Sequence, residues 1–120
     1  IPYNPLAAGM LTGKYKRSVA PTEGRFTLGA KTYTDRYWHD REFDTVDAFV
    51  KMAKEAGVEP ATLAVAWVIA NPVITAPIIG ASKPEQLDAS LAAAELKLDP
   101  ALKAKLDELT HEFRMGDAPR

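Results

Sequence analysis

Val73-Ile74-Thr75-Ala76-Pro77-Ile78-Ile79-Gly80-Ala81-Ser82-Lys83-Pro84-Glu85-Gln86 is the stretch on which the fold of this chain turns. Residues 73–79 are almost continuously apolar, the pattern of a strand covered on both faces in a parallel α/β sheet. Pro77 cannot donate to a central ladder, so it is expected near the strand's C-terminal end or at a bulge. Beyond Gly80 and Ala81 a helix is expected to open at Ser82, with Ser82 and Glu85 spaced as a capping box. A helix N-terminus offers unpaired N–H groups and partial positive charge. The small residues let an anion approach, and Lys83 adds a cation, so a phosphate could sit here. A capping box without any ligand explains half of the same motif, and both explanations stay open on these residues alone.

On the N-terminal side, Asp44 is expected to cap a helix carrying Val46, Phe49, Val50 and Ala53 on one face, ended by Gly57. Pro60 opens a second helix that is apolar nearly all round, hence buried on two sides, and Asn71-Pro72 stops it. Residues 18–43 show no sustained period and are expected as a long loop, whose Tyr33, Tyr37 and Trp38 favour packing down on something. Residues 1–17 read as the end of a short buried strand followed by a Gly-containing loop and the basic Lys14-Tyr15-Lys16-Arg17. Residues 44–72 hold the two helices and 73–81 the second strand. C-terminal helices follow over 82–113, including one started by Asp99-Pro100 with Leu102, Leu106 and Leu109 in register, and 114–120 is a tail expected to fray. Two strands and four helices do not close a sheet. Parallel strands buried on both faces need neighbours that these residues do not supply, so the chain is expected to be a piece of a larger α/β fold.

Composition narrows the function classes. With 15 Lys and Arg against 16 Asp and Glu, the formal net charge is −1, which argues against a nucleic-acid partner dependent on a broad basic field. No apolar run approaches the ~18 residues of a membrane span. The absence of cysteine rules out disulfides and thiolate metal sites and fits a cytoplasmic protein. The chain starts at Ile1 with no charged-then-apolar leader, so it is expected to be processed or cut from something longer. His39 and His111, the two histidines, belong to no metal or nucleophile motif and are read as solvated or packing residues.

The segment Tyr3-Asn4-Pro5-Leu6-Ala7-Ala8-Gly9-Met10-Leu11-Thr12-Gly13-Lys14-Tyr15 resembles the Y-x-P-L-x-x-G-x-L-T-G-K-Y segment of aldo-keto reductases. Gly24-Arg25-Phe26, Tyr37-Trp38, and Ile79-Gly80-Ala81-Ser82 with Gln86-Leu87 follow in that family's order, from Ile1 to about Leu109. The nearest branch is the bacterial one that also includes β subunits of voltage-gated potassium channels. The resemblance implies the C-terminal part of a (β/α)8 TIM barrel, its seventh and eighth strands plus helices, and not a complete barrel. It also implies an NADP-dependent oxidoreductase that reduces aldehydes or ketones to alcohols. Implied partners are a small-molecule carbonyl substrate and the remaining N-terminal part of the barrel.

The resemblance assigns roles residue by residue. Tyr3 corresponds to the aromatic that stacks on the nicotinamide, against the alternative of a core tyrosine at a strand end. Asn4, Pro5, Leu6 and Ala7 correspond to backbone approaching the cofactor. Gly9 and Gly13 keep Cβ atoms away from the pyrophosphate, and Lys14 and Arg25 correspond to cations reaching the phosphates, where surface charges would be the plain alternative. Gly80, Ala81, Ser82, Lys83 and Gln86 correspond to the seat of the adenosine 2′-phosphate, which favours NADP over NAD. Ala89 and Ser90 replace a Glu-Asn or similar pair on the adenine, with Ser90 able to restore part of the hydrogen bonding and Asp88 a mild electrostatic negative. The family's catalytic tyrosine, lysine, aspartate and histidine belong to the first half of the barrel, so no catalytic residue is assigned within this chain. The alternatives are a nucleotide-sensing module of the channel-β-subunit kind and an inactive fragment.

Overall fold

α-Helices form where an apolar stripe finds a neighbour. In the computed structural model, which describes residues 1–29 and 31–114, the helices are α1 (Lys31–Tyr37), α2 (Asp40–Glu55), α3 (Pro60–Ile69), α4 (Leu87–Ala92) and α5 (Pro100–Leu109). Short 3₁₀ turns at Ala7–Thr12, Arg25–Thr27, Pro84–Gln86 and His111–Phe113 link them. Along α2, Phe43, Val46, Phe49 and Ala53 are buried on one face. The stripe starts a turn earlier than the periodicity implied, because Phe43 packs under the ring of Trp38, 5.0 Å between centroids.

α3 is buried on two sides, as its all-round apolarity requires. Leu63 and Ala64 pack with Phe49, Ala53 and Leu106, while Val65 and Ala66 pack with Ala93. Burying a side chain such as Leu63 stabilises the fold by about 1.5–3 kcal/mol. Two polar ties fix α3 sideways: Thr62 Oγ1 donates to the Ala89 carbonyl at 2.6 Å, and Trp67 Nε1 donates to Asp107 of α5 at 2.8 Å. α5 starts as its sequence dictates, with Pro100 in the first turn and Asp99 accepting the Leu102 N–H at 3.1 Å.

Five expectations are corrected. Neither the buried strand end expected at the N-terminus, whose Ile1 and Tyr3 are exposed, nor the strand over 73–81 forms within a sheet: among the described residues they make one parallel bridge, Tyr3 to Ile78, closed by the Ile78 N–H donating to the Pro2 carbonyl at 2.8 Å. Pro2 and Pro77 bring no N–H to the pairing, and Val73 and Ile78 are exposed rather than covered. The span 18–43 is not one long loop, since it contains the Arg25–Thr27 turn, α1 and the start of α2. Its hidden period is Tyr33 to Tyr37, an i,i+4 pair whose rings stack 6.5 Å apart. Asp44 does not cap α2: the cap position is His39, and Asp44 lies within the helix, paired with Arg17. Ser82 and Glu85 form no capping box. Pro84 takes the first helical position, so Lys83 becomes the cap and Ser82 lies one residue too early. The tail from residue 115 lies outside the described residues.

Candidate functional site

The turn after Tyr3 is built from backbone that side chains rarely adopt. Asn4, Ala7 and Ala8 all have positive φ, at 57°, 49° and 59°. Such non-glycine geometry is costly and persists only where surroundings hold it. Here the Asn4 side chain does so: its Oδ1 accepts the Ala8 N–H at 2.8 Å, and its Nδ2 donates to the Tyr37 hydroxyl at 3.2 Å. Thr12 Oγ1 closes the loop by donating to the Gly9 carbonyl at 2.7 Å. Met10 and Ala8 anchor the turn in a cluster with Phe26, Phe43 and Val46.

This turn, the 23–28 segment and residues 78–86 enclose a groove of about 1110 Å³. Of the residues assigned direct contact with the cofactor or its phosphates, all line it except Ala7, Gly13 and Ser90. Tyr3 lines it while largely exposed, and Ser82, Lys83 and Gln86 stand on the segment that follows its bridge partner Ile78. Lys14, Arg25 and Lys83 face Glu23 as the sole carboxylate of the lining, so the groove carries an excess of positive charge. Arg25 is oriented by Tyr33: its Nη1 donates to the phenol oxygen at 3.0 Å, with the guanidinium 5.7 Å from the ring centroid. Its Nη2 lies 3.7 Å from where a Cβ on Gly80 would be.

Ala7 packs against the aromatic cluster without lining the groove, whereas Ala8, a member of that cluster, also borders the groove. Ser90 is buried on α4, one turn before Ala93, on the helix face that packs on α3. It does not line the groove. Gly13 is not a groove residue either. Its φ is 77°, and a Cβ there would stand 2.9 Å from Val50 Cγ2, so its glycine lets the loop close on α2. The Ser82 N–H and hydroxyl, expected to face an anion, both donate to Gln86 Oε1, at 2.9 and 3.1 Å. With α4 only six residues long behind a 3₁₀ turn, the attraction for an anion rests on the side-chain cations more than on a helix dipole.

The sequence missed Tyr15, Gly24 and Tyr33 as lining residues. Tyr15 has a buried hydroxyl with no hydrogen-bond partner, and a Cβ on Gly24 would stand 2.4 Å from it. Its ring meets Phe26 and Trp38 edge-on at 4.8 and 5.7 Å, which is the packing that the insert's aromatics foreshadowed. The i,i+4 spacing of Tyr33 and Tyr37 was the available signal for the groove's third wall. Three cations, a hydroxyl, a left-handed turn and an open aromatic ring form a donor set suited to a polyanion with an aromatic end. No helix among the described residues is long and apolar enough to cross a membrane.

Comparison with known proteins gives consistent results. The pattern of the "Aldo/keto reductase family" matches residues 1–111. The chain is 34% identical over 112 residues to a Schizosaccharomyces pombe protein named for a voltage-gated potassium channel β subunit, covering 89% of this chain and 32% of that protein. It is 35% identical over 109 residues to the Bacillus subtilis oxidoreductase YrpG, covering 91% of this chain and 31% of that protein. With the human aflatoxin B1 aldehyde reductase member 4 it shares 34% identity over 127 residues, 92% of this chain and 38% of that protein. The chain thus spans about a third of the length of these relatives.

Proposed function

The chain belongs to the aldo/keto reductase family, and on that premise we propose that it is the NADP(H)-binding C-terminal part of a (β/α)8-barrel oxidoreductase of aldehydes and ketones. The observation that carries this is the single groove joining Tyr3 to Ser82, Lys83 and Gln86 under an excess of cations. Tyr3 would lie against the nicotinamide, Lys14 and Arg25 would meet the pyrophosphate, and Ser82, Lys83 and Gln86 would meet the adenosine 2′-phosphate. When bound, the nicotinamide supplies the hydride for carbonyl reduction.

The residues of this chain bind and orient. Ser82 exchanges two hydrogen bonds to an amide oxygen for two to a phosphate oxygen, so releasing Gln86 leaves no donor unsatisfied. The aromatic face of Tyr3 limits the reactive ring to one orientation, which acts on turnover more than on affinity. The proton donor, a tyrosine with its lysine, aspartate and histidine partners, belongs to the rest of the barrel outside these 120 residues. A carbonyl substrate and a cytoplasmic setting are part of the same proposal.

The test is a fluorescence titration of the full-length protein with NADPH and NADH, repeated with Tyr3→Ala. NADPH is expected to bind at least tenfold more tightly, and Tyr3→Ala to lower kcat more than it raises the NADPH Kd. Equal affinity for both dinucleotides would remove the 2′-phosphate role, and an unchanged kcat would remove Tyr3. Binding without turnover of any aldehyde or ketone would instead favour a nucleotide-sensing module.

A further inference from the structure

Two tyrosines one helical turn apart on α1 each hold a groove residue, and Tyr33 itself lines the groove. Tyr37 accepts from Asn4 Nδ2 at 3.2 Å, and Tyr33 accepts from Arg25 Nη1 at 3.0 Å. Their rings stack at 6.5 Å with only 16° between planes, so both grips are carried on one face of the same helix. Neither held residue is passive. Asn4 sits in the left-handed region and shapes the turn directly after Tyr3, while Arg25 reaches across to Gly80 on the opposite wall. An exposed arginine otherwise samples many rotamers, and a left-handed asparagine costs free energy unless something pins it. α1 buries no residue fully, and its two tyrosines pack against the aromatic cluster while their hydroxyls make these two contacts.

We propose that the Tyr33–Tyr37 pair is a positioning bracket that sets the spacing between the aromatic end of the groove and its phosphate-side cation. The inference rests on the dinucleotide assignment above and deepens it. Neither tyrosine is a catalytic residue: Tyr33 acts through Arg25, and Tyr37 through Asn4. The bracket makes the two ends of one extended ligand depend on a single helix, so loosening either grip has its own signature.

Tyr33→Phe keeps the ring and its stack and removes only the acceptor. In the full-length protein it is expected to raise the NADPH Kd about fivefold, the size of one net hydrogen bond, and to have no further effect once Arg25→Ala is present. Tyr37→Phe is expected to lower kcat several-fold with little change in Kd and to shift the emission of bound NADPH toward that of the free nucleotide. That effect should vanish in an Asn4→Ala background. Additive effects in both double-mutant cycles, or none from either tyrosine, would overturn the bracket. A nucleotide-free cycle separates this failure from that of the dinucleotide assignment. If the unaltered protein bound no NADPH, the assignment would fall, while non-additive melting temperatures for Asn4→Ala and Tyr37→Phe would still establish the grip and additive ones would remove it.

Discussion

Lys83 lines the groove beside Ser82, and its charge is useful there only to a ligand with a negative group at that end. Lys83→Glu is therefore expected to raise the NADPH Kd at least tenfold, about 1.4 kcal/mol, while barely changing NADH binding. Competition titrations with the two nucleotides check this, and equal losses for both would contradict a 2′-phosphate seat. The place of Lys83 on the groove was legible in the sequence because apolar residues, two small residues and a cation followed one another. That of Ser90 was not, because a helix of six residues can turn any side chain inward and only its packing against α3 decides which. Gly13 teaches the same lesson. Its loop context pointed to a ligand, and the atom that excludes a side chain belongs to Val50.

α3 and α5 are joined by a charge-bearing tie with a defined pH response. Asp107 accepts from Lys103 Nζ at 2.7 Å and from Trp67 Nε1 at 2.8 Å, and these bonds, the Lys103 one first, hold its carboxyl below the usual aspartate value of 3.8. A lowered folded-state pKa means the tie contributes fully above the unfolded value and is lost as pH falls through the folded one. Asp107→Asn keeps an acceptor for Trp67 but not the charge facing Lys103. It is expected to lower the melting temperature by a few degrees at neutral pH, with the gap to the unaltered protein closing below about pH 4. A gap independent of pH would show that the carboxylate charge contributes nothing. The long helices were legible from their periods. α1 was not, because Pro21, Gly24 and Gly29 mask a seven-residue helix that Tyr37 ties to Asn4, 33 residues away, and Tyr33 ties to Arg25 across Gly29.

Ile1, Tyr3 and Ile78 are exposed at the one bridge found among the described residues, and Val73 is exposed five residues before Ile78, so pairing capacity beside the bridge is unfilled. Flanked by further barrel strands, amides of residues 73–79 are expected to exchange at least about a hundredfold more slowly in the full-length protein than in the 120-residue chain alone. Hydrogen exchange followed by mass spectrometry measures this, and equal rates would mean that no strand covers the edge. By itself the sequence determined the family, the three long helices and most of the residues that meet in the groove. These follow from short-range periodicity, from turn and cap chemistry, and from ordered motifs that survive without knowledge of partners. Tertiary structure alone decided that residues 73–81 make one bridge, that Gln86 takes the donors of Ser82, and that α1 ties Asn4 to Arg25. The physical reason is that a strand, a hydrogen-bond partner and a buried face are each defined by the neighbour opposite, and that neighbour is chosen by packing across the whole molecule.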